Sequence, residues 1–334
     1  MEVGTVAVVV RTKDRPALLA RALDDIAAQT LLAEHRATVR VVIVNDGGDA
    51  GGVAGLVAKH PIADLVTVVD NASSRGRWPA ANQGIAAVDS DYIVLHDDDD
   101  TWQPGFLAST TSFLDEPANA DYAGVVTFTE LVHETGGDDG YRELSREPFA
   151  REIEHISLIE LCRRNQFPPI AYLYRRRVHD TIGGYNEAMT VVADWEFNLR
   201  TVRRFDLAVL TEHLANWHLR SETAEGTDGN VTRASDWQYD EHKVRLFNRL
   251  LREELDAGAL GVGYLANLLQ VIDREEQQRD ANVHLHMQQL FDLLRDRSEQ
   301  GEAAILGRVD GAVEQLLAKP NSVQQLRRSI RRPR

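Results

Sequence analysis

The first half of the chain alternates two hydrophobic rhythms. Val6-Ala7-Val8-Val9-Val10 is continuously apolar and rich in β-branched residues, the pattern of a strand covered on both faces. Asp14, Arg15 and Pro16 then open a helix, with Pro16 placed where a first-turn proline costs little. Leu19, Leu23 and Ile26 give that helix an apolar stripe. The alternation repeats. Strand Val39–Val44 ends in Asn45-Asp46-Gly47-Gly48, and a helix runs through Val53, Leu56 and Val57. Strand Leu65–Val69 precedes helix Pro79–Val88, which leads to strand Tyr92–Leu95. Pro104 starts a helix carrying Phe106, Leu107, Phe113 and Leu114, followed by strand Gly124–Phe128.

Residues 133–160 break the rhythm. They are polar and glycine-rich around Gly136-Gly137-Asp138-Asp139-Gly140, and are expected to be irregular, as a loop over a site or a plain surface connection. Beyond them the pattern predicts a short strand at Ala171–Tyr174 and a turn at Gly183-Gly184-Tyr185. A helix through Trp195, Phe197 and Leu199 follows, then strand Leu207–Leu210 ahead of Trp217-His218-Leu219-Arg220. From about Ser235 only helical stripes remain: Val244, Phe247, Leu251 and Leu255; Leu265, Leu268, Leu269 and Ile272; Leu290, Phe291 and Leu294; Leu306, Val309, Val313 and Leu316. The βαβαβαβ order predicts an α/β, Rossmann-like, mostly parallel sheet with helices on both faces, plus a C-terminal all-helical extension. Ligands of such sheets sit beyond the carboxyl ends of the strands. Three polar clusters fall there: Thr12 to Arg15, Asn45-Asp46, and Asp97 to Asp100.

The last of these is the chemical feature of the chain. His96-Asp97-Asp98-Asp99-Asp100-Thr101-Trp102 follows directly on an apolar strand. Four acidic side chains repel one another, so a fold that gathers them needs a cation or solvent close by. Their oxygens suit Mn²⁺ or Mg²⁺ with phosphate as co-ligand. The bland alternative is a solvated acidic turn. Net charge over the 334 residues is −15, which argues against broad binding of nucleic acid. Cys162 is the only cysteine, so neither a disulfide framework nor a cysteine zinc cluster is available. A reducing, cytoplasmic setting is expected. No apolar run reaches the ~20 residues of a membrane span, and the N-terminus does not read as a signal peptide.

Taken in order, these residues resemble the family 2 glycosyltransferases, inverting enzymes of the GT-A fold, from about Val3 to Arg220. Arg11-Thr12-Lys13-Asp14-Arg15, Gln29-Thr30 and Asn45-Asp46-Gly47-Gly48 stand where that family has its opening motifs. Ala80-Ala81-Asn82-Gln83-Gly84, Asp97-Asp98-Asp99-Asp100 with Pro104, Gly183-Gly184-Tyr185-Asn186-Glu187 and Ala193-Asp194-Trp195 match the later ones. The resemblance implies a transfer of sugar from a nucleoside-diphosphate sugar, with UDP the leading base and GDP or dTDP as alternatives, to a hydroxyl of a glycan or lipid-linked acceptor.

It also implies roles. Asp99 would bind the metal directly, and Asp97 would contact the metal or the ribose. His218, in a segment like a late family motif, would approach the metal or diphosphate. Asp46 would accept a hydrogen bond from the base; Thr12, Arg15, Asn82 and Arg77, or Arg75, would serve the nucleotide. Asp194 would be the general base on the acceptor side, with Glu196 as fallback. Asp100 would cap the helix near Pro104 or join the site, Trp195 and Trp217 would stack on sugars or simply pack, and Asn165–Ile170 is a candidate acceptor segment. The sequence departs from the family pattern at Lys13, Asp14, Asn45, Ala81 and Ala193.

The expected division is 1–232 catalytic, 233–318 helical and 319–334 a basic, disordered tail. The tail leaves open a peripheral contact with the inner face of the membrane through anionic lipid, and the helices a homodimer. Two rivals remain. An aspartyl-nucleophile phosphatase fits Asp97-Asp98-Asp99-Asp100-Thr101 but lacks a lysine at a later strand end, and a non-catalytic glycosyltransferase-like scaffold sits poorly with Asp97, Asp99 and Asp194.

Overall fold

A computed structural model describes residues 4–34, 37–137, 140–149, 153–220, 236–259, 261–300 and 314. The chain divides into two compact units, residues 1–267 and 268–334.

Strands β1 (Thr5–Thr12), β2 (Thr38–Asn45), β3 (Val66–Asp70) and β4 (Tyr92–Asp97) lie in the order β3–β2–β1–β4, all parallel. The register sets Thr12 beside Asn45, Asn45 beside Asp70 and Arg11 beside Asp97. One edge of the sheet therefore collects every polar strand end, because parallel strands share a carboxyl end. Helices α1 (Pro16–Ala27), α2 (Thr30–Glu34), α3 (Ala50–Ala58) and α4 (Arg77–Ala86) make the connections. On β2, Val41 and Ile43 join Leu19 and Leu23 of α1 in the main core, while Val42 and Val44 pack with Ala80 of α4. That alternation is what a strand covered on both faces requires. Gly84 lets α4 lie close: a Cβ there would stand 2.4 Å from Val9 Cγ1.

The second half departs from a simple doubly wound plan. β5 (Thr101–Trp102) leads to α5 (Phe106–Asp115) and β6 (Gly124–Gly137). The stretch expected to be irregular is instead largely strand: β6 runs on to Gly137, and β7 (Gly140–Phe149) returns antiparallel to it as a long hairpin. Periodicity missed it for a physical reason. Most of β7 is exposed, and the buried positions of outer β6 include Thr129 and Glu134, so no apolar alternation marks it. After α6 (Leu158–Arg163), β8 (Tyr172–Arg175) inserts antiparallel between β4 and β6. After α7 (Arg176–Ile182) and α8 (Ala193–Val202), β9 (Leu207–Arg220) pairs parallel with β6 and antiparallel with β5. The expected short strand and the Trp217–Arg220 segment are thus one continuous strand of 14 residues, irregular in register where it faces Thr127–Thr129.

Helix α9 (Asp236–Asp256) belongs to the first unit; its Leu246 and Phe247 are buried, and Phe247 meets the Trp195 ring edge-on at 5.2 Å. Val244 and Leu255, expected on its buried stripe, are exposed. Helix α10 (Val262–Gln300) supplies the described residues of the second unit, apart from residue 314. On α10, Leu265, Leu268 and Ile272 are exposed. No helix among the described residues is long and apolar enough to cross a membrane. The stripe at Leu306–Leu316 and the basic segment 319–334 lie outside the described residues.

Candidate active site

The acidic run forms the tight turn between β4 and β5, and each carboxylate has a different fate. Asp97 pairs with Arg11 of β1. Asp98 is buried and accepts from Thr12 Oγ1 at 2.8 Å and from Arg15 at 3.1 Å. Burial and the neighbouring Asp99 nonetheless push its carboxyl up to about 6. Asp99 pairs with Arg220 of β9, and with Arg15 at 3.4 Å. Asp100 does not cap the following helix; it is buried and accepts the backbone N–H of His218 at 2.9 Å. Burial, then Asp99, pushes its carboxyl well above the usual range. Oxygens of Asp97, Asp99 and Asp100 come within 4.8 Å of one another, a hard-oxygen donor set that fits Mn²⁺ or Mg²⁺.

His218, expected near the metal or diphosphate, has its ring turned to other partners. Its Nδ1 lies 2.8 Å from a Glu134 oxygen and its Nε2 2.8 Å from Thr101 Oγ1, so both ring nitrogens are engaged. Glu134 is the hub that sequence reasoning missed. It also accepts from Arg21 at 2.8 Å and from Arg220 at 2.7 Å. Burial opposes its charge, but hydrogen bonds from His218 and Arg21 outweigh that and bring its carboxyl down to about 2. No motif marks Glu134; a lone acid in a polar stretch carries no signal until β6 and β9 pair it directly with Arg220.

A cavity of about 360 Å³ opens over this turn, lined by Arg11, Thr12, Arg15, Asp46, Arg77 and Asp97 among others. The expected nucleotide residues converge there, with two changes. Asp46 faces the cavity, but its carboxylate is filled by Asn71 Nδ2 (3.1 Å), Ser74 Oγ (2.7 Å) and the backbone N–H groups of Arg75 (2.8 Å) and Gly76 (2.9 Å). Burial disfavours its charge, yet those donors hold its carboxyl below the usual value. It anchors the loop that delivers Arg77. Asn82 is not in the cavity wall. Its amide donates to Tyr185 O (2.9 Å) and Glu187 (3.0 Å) and accepts from Tyr185 N (2.8 Å), tying α4 to the 183–187 turn. Where the family pattern has arginine at Ala81, positive charge comes from Arg11 and Arg77. Burial lowers the Arg77 guanidinium, and burial with Arg77 beside it brings Arg11 down to about 10.

A second cavity, about 790 Å³, adjoins the first and shares Arg77, Asp97, Asp100 and Trp217 with it. Asp194 lies in its wall, in the first turn of α8. The chain reaches α8 through Val192, held at φ +56°, a conformation a β-branched residue adopts only under constraint. Asp194 Oδ2 accepts from Asn165 Nδ2 at 2.9 Å, and Asn165 Oδ1 accepts from Asn198 at 3.0 Å. Burial raises the Asp194 carboxyl, with the Trp195 amide and Arg77 pulling back. Glu196 is taken up by Arg200 at 2.8 Å on the same helix. Trp195 is packed rather than offered to a sugar: it is 1% exposed and donates to Leu161 O at 2.6 Å. Trp217 is half-buried and borders both cavities. Asn165, Phe167, Pro168 and Pro169 of the candidate acceptor segment line the second.

A curled, mostly parallel sheet with an acidic turn at its carboxyl edge and helices around it is the GT-A fold of nucleotide-diphospho-sugar transferases. The sequence model described as glycosyl transferase family 2 matches residues 7–158, so this part of the chain is a glycosyltransferase domain of that type. An uncharacterized glycosyltransferase, YwdF, of Bacillus subtilis (strain 168) is 29% identical over 206 residues, 60% of this chain and 69% of that protein. A PGL/p-HBAD biosynthesis glycosyltransferase of Mycobacterium tuberculosis (strain ATCC 25177 / H37Ra) is 28% identical over 200 residues, 58% of this chain and 68% of that protein. Among solved structures, the mannosyltransferase PcManGT from Pyrobaculum calidifontis, in complex with GDP-Man and Mn²⁺, shares the fold. Its TM-score is 0.51 at 16% identity, covering 96% of this chain and 82% of that one.

Proposed function

We propose that this glycosyltransferase moves a sugar from a nucleoside-diphosphate sugar to a hydroxyl, with inversion and with a divalent cation. The observation that carries the reading is the junction of two cavities at Arg77, Asp97, Asp100 and Trp217, with the acidic turn under one and Asp194 in the wall of the other. In the first cavity Arg11, Arg15 and Arg77 face the diphosphate. Asp97, Asp99 and Asp100 would hold the cation, which as a Lewis acid stabilises the charge growing on the leaving group.

In the second, Asp194 takes the proton of the acceptor hydroxyl as its oxygen bonds to the anomeric carbon and the bond from that carbon to the phosphate oxygen breaks. The proton ends on Asp194 and the electron pair on the departing diphosphate. Asn165 fixes the carboxylate, and its raised pKa suits a group that must accept a proton near neutral pH. UDP is the leading donor nucleotide, with GDP or dTDP as the alternatives. The test is a screen of UDP-, GDP- and dTDP-sugars for Mn²⁺-dependent donor hydrolysis and thermal stabilisation. A single responding donor is expected; no response from any, with or without Mn²⁺, overturns the proposal.

A further inference from the structure

We propose that helix α9 completes the acceptor site and that the acceptor carries an aromatic-sized apolar group next to the hydroxyl that reacts. This deepens the glycosyltransfer reading and rests on it. The second cavity is lined by two kinds of residue. Asp194 lies beside Arg77, which borders both cavities. Phe149, Phe167, Pro168, Val192 and Tyr239 supply an apolar part of the wall. A bare sugar buried there would leave its hydroxyls against hydrocarbon, and each unpaired hydroxyl is costly. Several polar side chains of the lining are already committed: Asn165 to Asp194 and Asn198, Asp97 to Arg11 and Asp100 to the His218 backbone. Arg77, Arg164, Tyr239 and Asp240 also border the space.

Size points the same way. At about 790 Å³ the space is roughly twice the nucleotide-side cavity, within the ~300–1,000 Å³ of sites that enclose drug-sized ligands. Its rings are held in place: Phe149 meets Trp217 edge-on at 5.5 Å, and Tyr239 is backed by the buried Trp195, nearly parallel at 6.3 Å. Burial and the nearby Asp194 keep the Tyr239 hydroxyl protonated, so it meets the acceptor as a neutral group able to donate.

Tyr239 and Asp240 open α9, far beyond the residues 7–158 that match the family. The acidic turn is therefore held by the matched part of the chain, while Asp194 and most of the acceptor wall, Tyr239 included, lie outside it. This makes Tyr239 a specificity-determining residue and gives the extension a function beyond packing.

The experiment uses the full chain and two acceptors that differ only in the aglycone, the methyl and phenyl glycosides of one hexose. Binding is read by calorimetry, and transfer with whichever nucleotide sugar the donor screen selects. Burying one ring against these walls predicts about tenfold or more tighter binding, and higher kcat/KM, for the phenyl glycoside. Tyr239→Ala should remove most of that gap by weakening the phenyl glycoside far more than the methyl one; Tyr239→Phe should keep it. Equal binding of the two glycosides by the wild-type chain would overturn the inference without any variant. So would a Tyr239→Ala protein that keeps the full gap or weakens both glycosides alike. A binding gap without transfer from any nucleotide sugar would remove the glycosyltransfer reading and leave the aryl-binding cavity standing.

Discussion

His218 donates its Nδ1 proton to Glu134 at 2.8 Å, and Arg220, two residues further along β9, donates to the other oxygen of the same carboxylate at 2.7 Å. Arg220 also pairs with Asp99. The hairpin strand β6 is thereby wired to the acidic turn through a carboxylate 3% exposed.

Removing that carboxylate should be costly. Glu134→Ala leaves a buried arginine short of one partner, and breaking such a pair costs about 3 kcal/mol or more. Urea denaturation at pH 7 would measure it. The pH dependence has a definite sign. Glu134 falls from 4.5 in the unfolded chain to about 2 when folded. Its contribution is complete above about pH 4.5 and fades as pH drops toward 2. Glu134→Gln should show a flatter stability curve across that window, and an unchanged curve would refute the assignment.

Asp194 must be ionised to accept a proton, and burial raises its carboxyl. The acid limb of kcat/KM should accordingly lie above the ordinary carboxylate value of about 3.9. Asp194→Asn should lower kcat by about 10²–10⁴ with little change in donor affinity. A variant retaining half the wild-type rate would exclude Asp194 as the base.

Cation binding should be proton-linked. Asp100 is pushed well up by burial and then by Asp99, and a carboxylate ligand must lose its proton first. Mn²⁺ affinity should climb as pH rises and Asp100 gives up its proton, with proton release visible as a buffer-dependent heat in calorimetry. Asp99→Ala should weaken it by at least about tenfold. Chelation should stop transfer and added Mn²⁺ restore it; transfer indifferent to chelator would show that the arginines suffice alone.

Gly84→Ala tests how α4 is seated. The new methyl would stand 2.4 Å from Val9 Cγ1 and 3.0 Å from Val44 Cγ2, an overpacking cost of about 1–3 kcal/mol. The helix-propensity gain from alanine is at most about 1 kcal/mol. Net destabilisation and a lower Tm are expected, whereas a neutral substitution would mean that α4 can shift freely on the sheet.

What was legible beforehand follows from which forces are local. Apolar strands that end in polar residues announced the sheet edge and the clusters Thr12 to Arg15 and Asp97 to Asp100, while the roles of single residues came from the family resemblance. The hairpin was not legible, because β7 is mostly exposed and buries no regular apolar face. Glu134 escaped notice for the same reason. His218 and Asn82 were recognised but their bonds were not, since Thr101, Glu134 and the 183–187 turn reach them only through the fold. Asp46 shows the converse: its place was foreseen, while its four donors come from a loop without periodicity.

Strand β9 places Asn216, His218 and Arg220 at alternate positions, all buried, with the less buried Trp217 and Leu219 between them. Side chains on a strand change sides at every step. Gaining or losing one residue just upstream would turn all three polar groups outward together and swing the tryptophan in. A single-residue insertion between Ala215 and Asn216, beyond the irregular part of the strand, is therefore expected to unseat the whole Glu134 network at once.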